Sequence, residues 1–284
     1  MNTTQNFLEE CSKASKQYAA LMTQYKDFFN CLLTNPLQAF GYERWTANNI
    51  YCGLSNMPAI AELFVETAAF EDQNVIARPK NTSSFCTFIY PDAKIYNPKY
   101  NAFRNSLERH LQIRISFCII KRHINYCEAF VWNFKKPSIS LQEEKRVIIN
   151  DFFKNSALIN ACIHQFKKNI TLLLPTEAFG GIDISQQSPL YTNNKNPAEH
   201  VGDYSQYIEL LYYAKTLERE KLSFSDFGLS QAEQEAMSLF LKTPNSGRYF
   251  SENLNKISLK LQSLKHIIGF ENEYNELQTI GLTR

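Results

Sequence analysis

The sequence lacks an apolar run long enough to cross a membrane, because its longest candidates, such as residues 115–120, have only the length of a β-strand. No basic segment leads into an apolar one at the N-terminus, so no secretory signal is expected. Glycine and proline are scarce, at 9 and 10 of 284 residues, which excludes collagen-like and low-complexity chains. The net charge is only +2, so the overall charge predicts neither a nucleic-acid partner nor a membrane partner.

Motifs for metal binding and catalysis are also missing. The 7 cysteines are widely spaced and form no CxxC pair, which predicts reduced, mostly buried thiols in the cytoplasm. His123 and Cys127 have a ligand-like spacing, but they lie in a predicted hairpin where their side chains would not converge on a metal. Phosphate-binding glycine loops and nucleophile motifs are absent as well. We therefore predict no metal, no cofactor and no enzymatic activity.

Hydrophobic patterning predicts an α+β fold with an antiparallel sheet flanked by helices. Apolar residues at helical spacing predict a helix within the first forty residues, ended by Pro36. Runs rich in aromatic and β-branched residues at 113–120 and 126–134 predict a hairpin buried on both faces. Further elements are predicted as strands in 39–53 and 85–90 and as helices in 59–69 and 100–110.

The second half of the chain reads as a helix, a linker and an all-helical module. Ser140 and Glu143 form a capping-box pattern that predicts one helix reaching about Lys168, followed by a strand at 170–174. Residues 176–202 are rich in Gly, Pro, Asn and Ser, as is typical of a connection between domains. A helix follows at 204–221. The predicted organisation is an α/β sensor-like or interaction domain (1–175), a linker with a connecting helix (176–221) and a helical domain (222–284).

One ligand site is predicted in the first domain. Tyr126, Phe130 and Trp132 place aromatic rings on a single strand, and Glu128 interrupts them with a carboxylate. Apolar walls with a few polar groups are typical of ligand pockets, so these four residues are the pocket candidates for a small molecule. The competing interpretation is that the aromatic side chains fill the core. For Glu128 itself, the pattern favours a solvent-facing position at a sheet edge over a buried general base.

The last sixty residues carry a resemblance to a known family. Leu229-Ser-x-x-Glu233 opens an apolar helix, residues 248–254 follow as a short second helix, and apolar residues recur from Ile257 to Ile268 before Gly269. This order is similar to the LuxR-type helix-turn-helix domain, in which the second helix positions the third for DNA recognition. The segment before it is loosely similar to the sensor domains found upstream of such modules.

The resemblance implies a transcriptional regulator that binds double-stranded DNA as a homodimer and is controlled by a ligand or protein partner at its N-terminal domain. A local excess of basic residues between 242 and 266 is compatible with phosphate contacts. The implied phosphate contacts are Arg248, Lys256, Lys260 and Lys265, and the implied base contacts are Gln262 and His266. Residues 222–284 have 6 basic and 7 acidic residues, which keeps open a helical module that binds a protein instead of DNA. An enzyme centred on Glu128 is a third hypothesis.

Overall fold

The computed structural model describes residues 3–46, 50–67, 85–90, 98–123, 126–173, 182–183, 205–242, 252–262, 264 and 277–278. The helices of this part of the chain are α1 (Thr3–Asn30), α2 (Ala59–Glu66), α3 (Pro98–Leu111), α4 (Leu141–Lys154), α5 (Ser156–Leu173), α6 (Ser205–Glu220), α7 (Gln231–Lys242) and α8 (Glu252–Leu261). The strands are β1 (Leu37–Thr46), β2 (Ile50–Ser55), β3 (Phe85–Ile89), β4 (Ile113–Arg122), β5 (Tyr126–Lys135) and β6 (Ile182–Asp183). Among these helices, none has the length and apolar character needed to cross a membrane.

The strands form one antiparallel sheet in the order β3-β4-β5-β1-β2-β6. The α+β class with flanking helices is therefore confirmed, as is the hairpin of β4 and β5. Strand β5 lies in the interior of the sheet because it pairs with β4 on one side and with β1 on the other. Consecutive side chains of β5 point to opposite faces, so both faces of this strand need a covering layer.

One face of the sheet is covered by α1, α4 and α5 through aromatic contacts. Trp132 on β5 makes edge contacts with Phe29 of α1 and with Phe152 of α4, at centroid distances of 5.4 and 4.9 Å. Phe166 of α5 lies 5.4 Å from the ring of Phe40 on β1. The opposite face carries a second apolar cluster, in which α2 and α3 pack on residues such as Cys118 and Ile120. Because helices cover both faces of the sheet, the hairpin strands carry apolar side chains on both of their faces.

The predicted helix from Ser140 to about Lys168 is in fact two helices. Ser140 accepts a hydrogen bond from the Glu143 backbone N–H, so the predicted start is confirmed. The break falls at Asn155, whose side-chain amide donates to the backbone oxygens of Leu32 and Asp151. These bonds compete with helical backbone geometry at Asn155 and separate α4 from α5.

One further prediction needs correction. The predicted strand at 170–174 is wrong, because α5 continues through Ile170 to Leu173 and buries Ile170 against the core. Most of the predicted linker lies outside the described residues. Its described portion, Ile182–Asp183, pairs with β2 as a sheet edge.

The C-terminal helices share the apolar core of the sheet. Tyr212 of α6 contacts Phe153 of α4 at a centroid distance of 6.0 Å, and Tyr207 donates a hydrogen bond to the backbone oxygen of Leu241 on α7. Buried residues of α7 and α8, such as Met237 and Leu261, belong to the same apolar cluster as the aromatic residues of the sheet. The packing is therefore continuous from the sheet through α6 to α8.

Candidate functional site

Glu128 lies in the middle of the sheet and is completely buried. The expectation of a solvent-facing position at a sheet edge is wrong, since β5 has a hydrogen-bonded neighbour on each side. The side chain points to the face covered by α5, where Lys167 reaches it. A buried carboxylate is tolerated only where hydrogen bonds and opposite charges replace water.

Three side chains supply those interactions. Lys167 donates to Glu128 Oε1 at 2.6 Å, and His123 Nε2 lies 2.8 Å from the same oxygen. Tyr42 donates its hydroxyl to Oε2 at 3.0 Å. Burial by itself raises the pKa of Glu128, but Lys167 and His123 outweigh it, and the pKa falls below its usual value. Glu128 is thus held ionised, which makes it a weak proton acceptor near neutral pH.

A row of charged residues crosses three strands at this level of the sheet. Lys121 on β4 and Arg44 on β1 are the register partners of Glu128 on either side. Cross-strand partners on one face lie close enough to interact. Burial lowers the pKa of Lys121 to about 8, with further lowering by the charge of Lys167 and a smaller opposing effect of Glu128. The surroundings of Lys121 therefore disfavour the charged form of its amine.

The ring of Tyr126 contacts two basic side chains of the cluster, Arg44 and His123. The guanidinium of Arg44 lies 3.8 Å from the centroid of the Tyr126 ring, within the range of a cation–π interaction. His123 stacks on the same ring at 4.1 Å, and its backbone N–H donates to the Tyr126 carbonyl. We call the whole set the Glu128 cluster; it consists of Tyr42, Arg44, Lys121, His123, Tyr126, Glu128 and Lys167.

The Glu128 cluster should make the stability of the fold depend on pH in the acidic range. Because the pKa of Glu128 is depressed in the folded protein, its contribution is fully present above the unfolded value of 4.5 and is lost as pH falls through the folded value. We expect the E128Q variant to lack this component, so its melting temperature should fall less steeply than that of the wild type below pH 4.5. Thermal melts from pH 6 downwards test this, and parallel curves for the two proteins would contradict it.

The structure divides the four pocket candidates into two groups. Tyr126 and Glu128 belong to the Glu128 cluster. Phe130 and Trp132 are completely buried and pack among the rings of the core. For these two residues the packing supports the core-filling interpretation.

Of the cluster, the sequence predicts only Tyr126 and Glu128 as ligand-site residues, and His123 is considered there only as a metal ligand that the predicted hairpin disfavours. Lys121 carries a usable signal, because a hairpin register that joins residues 122 and 127 also places Lys121 opposite Glu128. Lys167 carries no such signal, since it lies 39 positions from Glu128 on a helix of a different layer. The sequence also gives no indication of a second polar network, in which buried Arg104 donates to Ser116 and Ser116 donates to Asn133.

The predicted DNA-contacting residues fall partly outside the described residues, which do not include Arg248, Lys265 or His266. Lys256 and Gln262 are exposed. Lys260 instead bonds Glu233 Oε2 at 2.8 Å and the Gly228 backbone oxygen at 3.0 Å. The pKa of Glu233 falls to about 2 because Lys260 and the Ser230 backbone N–H both bond its carboxylate. Lys260 thereby ties α8 to the start of α7.

The predicted boundary between a helix at 248–254 and a helix beginning near Ile257 is wrong. Helix α8 runs without interruption from Glu252 to Leu261. The apolar side chains of Leu254, Ile257 and Leu261 recur on one face and are all buried, which favours a continuous helix over a turn at this point. The predicted start of a helix at Leu229-Ser-x-x-Glu233 is confirmed, and Ser230 and Glu233 form a capping box there through reciprocal side-chain to backbone hydrogen bonds.

No protein-family model matches the chain, and no curated protein matches its sequence. The LuxR-type resemblance therefore depends on the C-terminal residues that carry it.

Proposed function

We propose that this protein is a transcriptional regulator whose C-terminal helices contact double-stranded DNA. The observation that supports the proposal is the division of α8 into two faces. Leu254, Ile257 and Leu261 are buried, whereas Lys256 is exposed. A helix that enters the major groove needs one face packed on its own domain and another that presents polar and basic side chains.

The contacts of Lys260 refine the expected DNA-binding residues. Because Lys260 bonds Glu233 and the Gly228 backbone oxygen, its principal role is to hold α7 and α8 together. Lys256 and Gln262 are exposed, and we assign Lys256 to a phosphate and Gln262 to a base edge. The Glu128 cluster and the sheet around it would receive the ligand or partner that controls binding.

Replacement of Lys256 by glutamine is expected to weaken binding to all DNA sequences. The slope of log K against log salt should become flatter by about 1, as expected for the loss of one phosphate contact. The measurement is a salt-titrated binding assay on the full chain, since the C-terminal helices share the core of the sheet.

The matched control is K215Q, which removes an exposed lysine from α6. It should leave the slope unchanged. Failure of the wild type to bind duplex DNA at ~50 mM salt, or equal slopes for the wild type and K256Q, would contradict the proposal.

A protein-interaction module is the second candidate. It is favoured by Leu239 on α7 and Leu259 on α8, which are 66% and 68% exposed. Packing of these two helices on another chain would bury both leucine side chains. The proposed partner is a second copy of this chain, so sedimentation equilibrium should show a dimer. A dimer without DNA binding would select this candidate over the first.

A further inference from the structure

A cavity of about 390 Å³ lies beside the C-terminal half of α3, next to the end of β5. Its described lining consists of Asn105, Glu108, Arg109 and Gln112, together with Lys136, which directly follows β5. The first four residues have the spacing i, i+3, i+4 and i+7, so they share one face of the helix and its end. Arg109, Gln112 and Lys136 are exposed, so the cavity is accessible from solvent.

The backbone at Gln112 joins the two sides of this cavity. Gln112 directly follows α3 and has a φ of 57°, in the left-handed region where glycine is favoured at the end of a helix. Its backbone oxygen accepts a hydrogen bond from the Lys136 backbone N–H at 2.7 Å. Residues held in this region are unfavourable and are enriched at ligand sites. A glutamine at a position that suits glycine therefore favours a role for its side chain.

The lining offers hydrogen-bond donors that the described fold does not use. Lys136 bonds Glu108 and keeps two further N–H groups on its ammonium. The Arg109 guanidinium and the amides of Asn105 and Gln112 make no hydrogen bond or ion pair within the described part of the chain. A basic residue in the last turn of a helix is favourable by itself, so the charge of Arg109 alone does not indicate a site. The distinguishing observation is that its guanidinium lines a cavity together with two amides.

We propose that this cavity binds the carboxylate group of a small polar acid. Two basic residues and one acidic residue give the described lining a net charge of +1, which one carboxylate neutralises. The guanidinium of Arg109 presents a planar fork that can bond both oxygens of a carboxylate. The amides of Asn105 and Gln112 can bond hydroxyl or amide groups elsewhere in the same ligand. The polar lining and a volume near the lower limit for ligand pockets favour a small polar ligand over a large apolar one.

This inference goes beyond DNA binding and does not depend on it. The cavity lies between α3 and the end of β5, whereas the proposed DNA contacts lie on α8. A variant of Arg109 should leave the salt dependence of DNA binding unchanged, and K256Q should leave carboxylate binding unchanged. Failure of one proposal is therefore distinguishable from failure of the other.

The experiment uses the full chain and three sodium salts: acetate, gluconate and N-acetylglycinate. Each is titrated by calorimetry and by thermal shift, with N-acetylglycinamide and sodium chloride of the same ionic strength as references. Saturable binding with a rise in melting temperature is expected for at least one carboxylate. Tighter binding of gluconate identifies a free hydroxy acid and tighter binding of N-acetylglycinate identifies a peptide C-terminus; both support the site. A response to the carboxylates no larger than that to the two references overturns it.

The decisive variant is R109Q, which keeps a long polar side chain and removes the charged fork. We expect about tenfold weaker carboxylate binding, because a charge-assisted hydrogen bond is lost. The ligand-free melting temperature should equal that of the wild type, since Arg109 is exposed. The matched control is K135Q, which removes an exposed positive charge next to Lys136 from a residue outside the described lining. Equal weakening in R109Q and K135Q, or unchanged affinity in R109Q, would overturn the proposal.

Gln112 provides a second variant in which binding and stability should move in opposite directions. Q112G removes the amide and relieves the left-handed backbone, so it should bind the carboxylate more weakly while melting at the same temperature as the wild type or higher. Wild-type affinity in Q112G would overturn the assignment of the cavity.

A readout on the wild type covers variants that fold poorly. Bound carboxylate should slow the modification of Arg109 by phenylglyoxal, followed by mass spectrometry, more than that of Arg146 on α4. Each rate is compared with the rate of the same arginine without ligand. Equal protection of the two arginines would also overturn the proposal.

Discussion

Replacement of Glu128 by alanine should be among the most damaging single changes in this protein. We expect the free energy of unfolding to fall by about 3–5 kcal/mol, as is typical when one partner of a buried ion pair is removed. The physical reason is that Lys167 and His123 lose their shared acceptor while Lys121 loses its nearby opposite charge. Tyr42 is also left with a buried hydroxyl that has lost its acceptor.

Chemical denaturation of the wild type and E128A measures this change. A suitable control is E218A, which removes an exposed carboxylate from α6 and should shift stability by less than about 0.5 kcal/mol. Similar unfolding curves for E128A and E218A would show that the interactions around Glu128 do not stabilise the fold.

Glu128 illustrates where prediction from sequence stops. The hairpin is predictable because β4 and β5 have dense apolar runs separated by a polar break, and both properties are local. The burial of Glu128 is not local, because it depends on β1 pairing with the outer side of β5 and on α5 packing over that face. Isolated charges in strands usually face solvent, so the pattern favoured the wrong position.

Helix boundaries also divide into those set by local sequence and those set by distant contacts. Capping residues act within one turn, so the starts of α4 and α7 are correctly predicted from Ser140 and Ser230. The end of α4 depends on Asn155, whose side chain bonds the carbonyl of Leu32, 123 positions earlier in the chain. The local bond from Asn155 to the Asp151 backbone oxygen is within reach of a capping rule, but the bond to Leu32 is not.

The C-terminal helices are stabilised by an apolar core that they share with the sheet. A separate module would hold its recognition helix by packing within itself. Here the buried residues of α8 belong to the same apolar cluster as Tyr212 and the aromatic residues of the sheet. The stability of α8 is therefore coupled to that of the sheet, and damage to the helix should be detectable in the unfolding of the whole chain.

Replacement of Leu261 by alanine tests this coupling. Leu261 is completely buried, so the variant should lose about 2–5 kcal/mol of unfolding free energy through lost burial and the cavity left behind. Ser238 on the neighbouring α7 provides a control, since it is exposed and its replacement by alanine should change stability by less than about 0.5 kcal/mol. If the core is continuous, L261A should shift a single transition, seen equally by far-ultraviolet circular dichroism and by tryptophan fluorescence from the sheet. Two separate transitions, with only one moved by L261A, would show that α8 unfolds independently of the sheet.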